Sequence, residues 1–265
     1  MAMTHEQRTE TALLEETPLL DYSHPRIAGL VEARGWDDTG IDDRAKAVYE
    51  YVRDEIPFGY NREEVIPASQ VLSEGLGQCN TKGTLLMALL RRCDVPCRFH
   101  AFTVDKRLQA GLMPAGLFKL LPESIIHSWV EARLDDAWRN LEGFIIDTAL
   151  LSRIQSRFPS WQGSFCGYGL ACDELQHPSN GWARNDTYIQ HRAINGDLGI
   201  YDSPDRFYMS HHSNVSGLKG FVWRWAYYRP TNRNVEKIRA GRFPQKPETH
   251  VSVCPHTNRA NAKES

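Results

Sequence analysis

The chain has 265 residues, with 31 Lys and Arg against 33 Asp and Glu, for a formal charge of -2. That balance argues against a polybasic nucleic-acid binder, and a hydrophobic share of 41% is ordinary for a globular protein. Six cysteines are too few for a disulfide-stapled scaffold, and no apolar run approaches the roughly 18 residues of a membrane-spanning helix. The N-terminal stretch MAMTHEQRTETALLEE lacks the basic start and apolar core of a signal peptide. The expectation is a cytoplasmic protein with reduced thiols.

In chain order, residues 1–24 are polar and weakly patterned, and are expected to form a flexible arm. The first element is a helix from Asp42 to Glu55, with Asp42 as its cap and Ala45, Val48, Tyr49, Val52 and Ile56 on one face. Pro57 stops it. A short helix is expected at Ala68–Glu74, followed by the glycines of Gly75-Leu76-Gly77. A longer helix then runs from Cys79 to Arg92, with Leu85, Leu86, Leu89 and Leu90 forming its apolar face and two arginines at the end where carbonyl charge favours cations.

Cys97–Val104 reads as a strand, and residues 126–134 as another. Asp135-Asp136 reads as a turn and 138–146 as the hairpin partner. Between the first strand and this hairpin, residues 105–123 form an amphipathic insertion that fits either a lid or a helix packed on the core. Residues 151–265 carry 15 of the 27 aromatic residues, so most of this part should be folded. WQGSFCGYG, NDTYIQHRAI and GFVWRWAYY look like core or pocket material. From about Pro244 the chain turns polar and reads as a flexible tail. The pattern is α+β.

The chemistry concentrates in GQCNTKGTLLMALLRR and IHSWVEARL. A cysteine nucleophile needs a thiolate, which a helix start and an imidazole partner both favour. Cys79 opens its helix behind two glycines that permit a sharp turn, and the free N–H groups there can also face an oxyanion. His127 would supply the base, and a carboxylate on the paired strand would orient it. The hairpin register puts His127 opposite roughly 144 to 146, and Glu142 and Asp147 both fall within reach.

These residues together resemble the transglutaminase-like superfamily of papain-type Cys-His-Asp enzymes, in its bacterial form. The resemblance rests on Gly77-Gln78-Cys79, on Leu85–Arg92, and on Val95-Pro96-Cys97-Arg98. It continues through His127-Ser128-Trp129-Val130-Glu131 and Trp138-Arg139-Asn140-Leu141-Glu142, so that it covers about residues 45–150. The preceding AVYEYVRDEIPFGYN also looks like the helix and linker that come before the family's nucleophile.

The resemblance implies a core at 25–150 with the nucleophile at a helix N-terminus packed on an antiparallel sheet. An aromatic-rich region at 151–243 would complete the fold or pocket, followed by the tail at 244–265. It implies catalytic roles for Cys79 and His127. The aligned acid is Glu142, one methylene longer than the family's usual Asp, with Asp147 as the alternative.

The implied activity is acyl transfer through an acyl-enzyme on Cys79, from a peptide, protein or carrier-bound acyl donor to an amine acceptor. A cysteine peptidase or amidase on the same scaffold is one alternative, and a non-catalytic binding protein is another. The chemistry calls for no cofactor, no metal, no nucleic acid and no membrane. Cys93 and Cys97 lack a second ligand pair with zinc spacing, and Cys166, Cys172 and Cys254 read as free thiols. Trp129 and Trp138 are expected in the core or the pocket wall. His211-His212 and the acidic Asp197, Asp202 and Asp205 are expected in solvated loops.

Overall fold

Apolar periodicity along the first half of the chain generates four helices that close on one side of a sheet. In the computed structural model, which describes residues 11–214, 228–244 and 246–254, these are α1 (Pro25–Arg34), α2 (Ile41–Asp54), α3 (Ala68–Glu74) and α4 (Cys79–Arg92). In α2, the residues Ala45, Val48, Tyr49 and Val52 are buried as their spacing predicts. Asp42 does not cap this helix. Gly40 occupies the cap position, and Asp42 sits inside the first turn, paired with Arg184 at 2.5 Å.

Helix α4 is almost wholly buried from Asn80 to Arg91. Burying each of its large apolar side chains stabilises the fold by about 1.5–3 kcal/mol, so α4 acts as the central rod of the molecule. Its last turn is fixed by Arg91, whose guanidinium donates to the carbonyls of Glu15, Cys97 and Asp202.

Strands β1 (Cys97–Asp105), β2 (Ser124–Leu134), β3 (Ala137–Leu141) and β6 (Ile194–Tyr201) form an antiparallel sheet in the order β3-β2-β1-β6. The β2–β3 turn is the two-residue Asp135-Asp136 pair, with φ of 48° and 60°, as a tight hairpin of this twist requires. Ser128 and Val130 on β2 lie beside Gly83 of α4, and Trp129 and Glu131 alternate with them. The architecture is α+β.

Strand β3 ends at Leu141, short of the expected 146. Gly143 lies too close to its neighbours for a side chain: a Cβ there would stand 2.5 Å from Tyr49 Oη and 2.7 Å from Asn180 Cα. The chain therefore leaves the sheet, and Phe144, Ile145 and Ile146 are buried as a turn rather than as strand. An apolar run without alternation does not distinguish these two forms of burial.

Helix α6 (Thr148–Arg157), the small hairpin of β4 (Phe165–Gly167) and β5 (Leu170–Cys172), and helices α7 (Pro204–Tyr208) and α8 (Tyr228–Arg239) complete the described fold. Within the insertion, Lys106–Gln109 forms a 3-10 turn and α5 (Ala115–Phe118) a single helical turn. Leu108 and Leu112 are buried, and Asn234 Nδ2 donates to the carbonyls of Gly111 and Leu112, which ties this loop to α8.

Residues 11–24 do not trail from the core as an arm. Leu20 is fully buried, Leu13 nearly so, and Asp205 accepts from Thr17 Oγ1 and Leu19 N. Asp205 is therefore an anchor rather than a solvated loop residue. Nor is the C-terminal stretch loose through residue 254: Ser252 pairs with Cys166 in antiparallel fashion and Cys254 is buried. Residues 1–10, 255–265 and most of GFVWRWAYY lie outside the described residues. Among the described residues, no helix is long and apolar enough to cross a membrane.

Candidate active site

Local sequence fixes where Cys79 sits. Gly75, at φ 66°, closes α3 in the left-handed conformation, and the chain runs on to pair Phe58 with Gly77. A Cβ on Gly77 would stand 2.8 Å from both Lys82 Cγ and Thr81 Oγ1, so only glycine permits this approach to the first turn of α4. Gln78 N donates to Thr81 Oγ1 at 3.1 Å, and Asn61 N donates to Gln78 Oε1 at 3.0 Å. Cys79 then opens α4, half-buried, with helix N–H groups around it.

Asn80 couples this helix start to β2. Ser128 Oγ donates to Asn80 Oδ1 at 2.9 Å, and Cys79 Sγ lies 3.6 Å from the same oxygen. His127, beside Ser128, is fully buried. Its Nε2 is 2.9 Å from Glu142 Oε1. Its Nδ1 makes no hydrogen bond of ordinary geometry among the described residues. Burial by itself would lower the pKa of the imidazole, but Cys79 and Glu142 outweigh it and raise the value to about 9.

Glu142 is held equally firmly on its other side. Oε2 accepts from the backbone N–H groups of Ile189, Gln190 and His191 at 2.8, 2.9 and 3.0 Å. Burial pushes its pKa up, yet His127, then His191 and the Gln190 N–H, bring it below the ordinary carboxylate value. The three N–H groups belong to the segment before β6, which Thr187 anchors to β3 through Glu142 N and Asn140 O. The C-terminal region therefore supplies the cradle for a carboxylate that lies just past β3.

Asp147, the alternative acid, is elsewhere. It caps α6 through Leu150 N, accepts from Phe58 N and pairs with Arg239 at 2.8 Å. The structure brings Cys79, His127 and Glu142 together and leaves Asp147 in a buried ion pair. The remaining cysteines, Cys93, Cys97, Cys166, Cys172 and Cys254, are free and buried. Burial pushes the Cys93 and Cys172 thiols up to about 12. Among the described residues, no group of three or more His, Cys, Asp or Glu is placed to hold a metal ion.

Trp129, two residues past His127 on β2, is nearly buried, with ring centroids 4.1 Å from Phe102 and 5.8 Å from Tyr188. Trp138 lies at the far end of the sheet under Arg98, whose guanidinium sits 3.9 Å from the ring centroid. His211 stacks on Phe207 at 4.4 Å rather than standing free in a loop.

Several neighbours of the site escape a reading of the sequence. The Ile189–His191 donors are backbone groups and leave no residue signature. Asn214 holds both the N–H and the carbonyl of Ile126 and donates to Glu64, all from far along the chain. Lys82 does carry a signal, a lysine on the apolar face of α4. It is fully buried, and its Nζ donates to the carbonyls of Arg53 and Ile145. Burial draws its pKa down to about 7 despite the pull of Asp147 and Asp54.

The Transglutaminase-like superfamily matches the chain at residues 30–143. No curated protein matches the sequence. Among solved structures, the chain aligns with a "Putative Cysteine Protease from Cytophaga hutchinsonii" at 9% identity and a TM-score of 0.40. The alignment covers 77% of this chain and 49% of that one. This chain thus spans about half the length of that protein. Over residues 30–143, which hold Cys79, His127 and Glu142, the chain is similar to the transglutaminase-like superfamily.

Proposed function

We propose that the protein is a cysteine-dependent acyltransferase that works through an acyl-enzyme on Cys79. The observation that carries this reading is the buried His127 ring. It is fixed at Nε2 by Glu142, and Cys79 at a helix start lies close enough to favour its protonated form. In this reading the Cys79 thiolate attacks an amide, ester or thioester carbonyl, and His127 protonates the leaving group. Glu142 keeps the proton-bearing ring in register, and helix N–H groups receive the oxyanion.

The acyl-enzyme then passes to an amine acceptor, with His127 taking the amine proton, and a new amide forms. Burial of His127 and Glu142 supports aminolysis over attack by bulk water. The donor class is a peptide, protein or carrier-bound acyl group. No cofactor enters these steps, and a cytoplasmic setting would keep the thiol reduced.

The test is to incubate the protein with an amide or thioester donor, with and without a primary amine, and to weigh the products. An amine adduct that depends on Cys79 supports acyl transfer. Free acid alone, at every amine concentration, would assign the site to a cysteine amidase or peptidase.

A further inference from the structure

Two donors converge on one oxygen beside the nucleophile. Ser128 Oγ donates to Asn80 Oδ1 at 2.9 Å, and Cys79 Sγ donates to the same oxygen at 3.6 Å. The other half of this amide is idle. Asn80 is 1% exposed, yet its Nδ2 has no hydrogen-bond partner among the described residues. Buried polar groups are nearly always paired, so an amide with a crowded oxygen and two unused N–H bonds calls for an explanation.

The arrangement suits a sulfur that carries its proton and fails for one that has lost it. When the proton passes to His127 Nδ1, the S–H electron pair stays on sulfur. The ring becomes a cation, held at Nε2 by Glu142. The sulfur then stops donating and becomes a charged acceptor 3.6 Å from an oxygen that repels it. A half-turn about the Asn80 Cβ–Cγ bond removes the conflict. Oxygen and NH2 fill nearly the same volume, so the packing around a buried amide permits the exchange. Nδ2 then takes the place of Oδ1, within reach of Sγ and of Ser128 Oγ. A serine hydroxyl donates in the first setting and accepts in the second.

We infer that Asn80 is a catalytic residue whose amide follows the proton: its oxygen faces Cys79 Sγ while the sulfur is a thiol, and its Nδ2–H donates to the sulfur once the proton is on His127. This rests on the acyl-enzyme reading above and names a further residue that makes the thiolate. No atom enters or leaves in this step; one proton changes hosts and one amide turns. The backbone of Asn80 stays fixed in α4, where Thr84 Oγ1 donates to its carbonyl at 3.0 Å. The other titratable groups around the sulfur keep one role throughout. Lys82, a turn along α4, donates to the carbonyls of Arg53 and Ile145. Glu64, beside Gln78, accepts from Asn214 N and Nδ2. Burial keeps the phenols of Tyr60 and Tyr208 neutral.

The test is the rate of Cys79 alkylation by iodoacetamide as a function of pH, in the wild type and in Asn80→Ala. A thermal melt establishes that the variant is folded. The curve should move to higher pH, about tenfold slower on its acid limb and equal to the wild type at its alkaline plateau, as a hydrogen bond to the charged sulfur is lost. The sign is decisive. An Asn80 that only accepted from the thiol would stabilise the protonated sulfur, and removing it would speed the acid limb. An unchanged or faster acid limb would overturn the proposal, as would equal slowing at every pH. A second measurement needs no substitution of Asn80 and decides alone if Asn80→Ala does not fold. In NMR spectra of isotope-labelled wild-type protein, the Asn80 NH2 protons should move downfield as Cys79 ionises, and should stay fixed in Cys79→Ala. Wild-type signals that do not move would overturn the proposal. Failure of the acyl-enzyme reading shows separately, as a wild-type curve identical to that of His127→Ala, and the proposal falls with it.

Discussion

Glu142 meets His127 at 2.9 Å while its second oxygen is held by three consecutive backbone N–H groups, those of Ile189, Gln190 and His191. The carboxylate is thereby fixed from both ends, by the core on one side and by the C-terminal region on the other. Replacing it with its amide removes the charge and sets an NH2 group against donors on one side or the other. Glu142→Gln should lower acyl transfer by about 10³–10⁴-fold, the scale of losing the carboxylate of a catalytic triad. Glu142→Ala should also destabilise the protein by about 3–5 kcal/mol, since it strips a buried ring of its partner. Single-turnover kinetics and urea melts measure the two effects.

Asp147 provides the matched control. Asp147→Asn breaks a buried ion pair with Arg239 and weakens the α6 cap, so stability should fall by about 3 kcal/mol. Because Asp147 does not touch His127, the rate of Cys79 alkylation should stay at the wild-type value under native conditions. A loss of alkylation in the folded variant would return Asp147 to candidacy as the catalytic acid.

The pH dependence follows from His127. Its folded pKa is about 9, above the ordinary imidazole value of 6.5, so the protonated ring is the favoured form through neutral pH. The stability that this contributes is complete below pH 6.5 and is lost as pH rises through about 9. Leaving-group protonation should disappear over the same upper range, giving acylation a descending alkaline limb near pH 9. In Cys79→Ala the partner that raises the value most is gone while burial still lowers it. His127 should then titrate at lower pH, which NMR of the ring resonances would detect.

Gly77 tests the approach to the nucleophile. Gly77→Ala would drive a Cβ to 2.8 Å from Lys82 Cγ and Thr81 Oγ1. The first turn of α4 must shift to relieve this, at about 1–3 kcal/mol. Thermal melts should show the loss of stability, and slower Cys79 alkylation should accompany it.

Much of this was legible from one sequence, and the limits have physical causes. Helices α3 and α4 follow their predicted bounds because periodicity and flanking glycines agree there. Strands β1 and β2 extend at most two residues beyond expectation, and the Asp135-Asp136 turn stands where the hairpin needed it.

The reading failed where tertiary contacts overrode local pattern. Phe144–Ile146 look like strand but turn into the core beside Gly143, and Asp42 loses the cap position to Gly40. Residues 11–24 are polar overall, yet Leu13 and Leu20 are enough to dock them. Cys79, His127 and Glu142 could be named because each carries its chemistry in its side chain. The Ile189–His191 cradle could not, because backbone N–H groups are common to all sequences and only the fold aims them.

The central claim is that His127 activates Cys79, and iodoacetamide labelling at pH 6.5 tests it most directly. Labelling of Cys79 alone would be weak evidence, since the other five cysteines are buried. The decisive comparison is between the wild type and His127→Ala. The account predicts that wild-type Cys79 alkylates rapidly and that the substitution slows it at least about tenfold, as the protonated imidazole that stabilises the thiolate is removed. An unchanged Cys79 rate in a folded His127→Ala protein would contradict it.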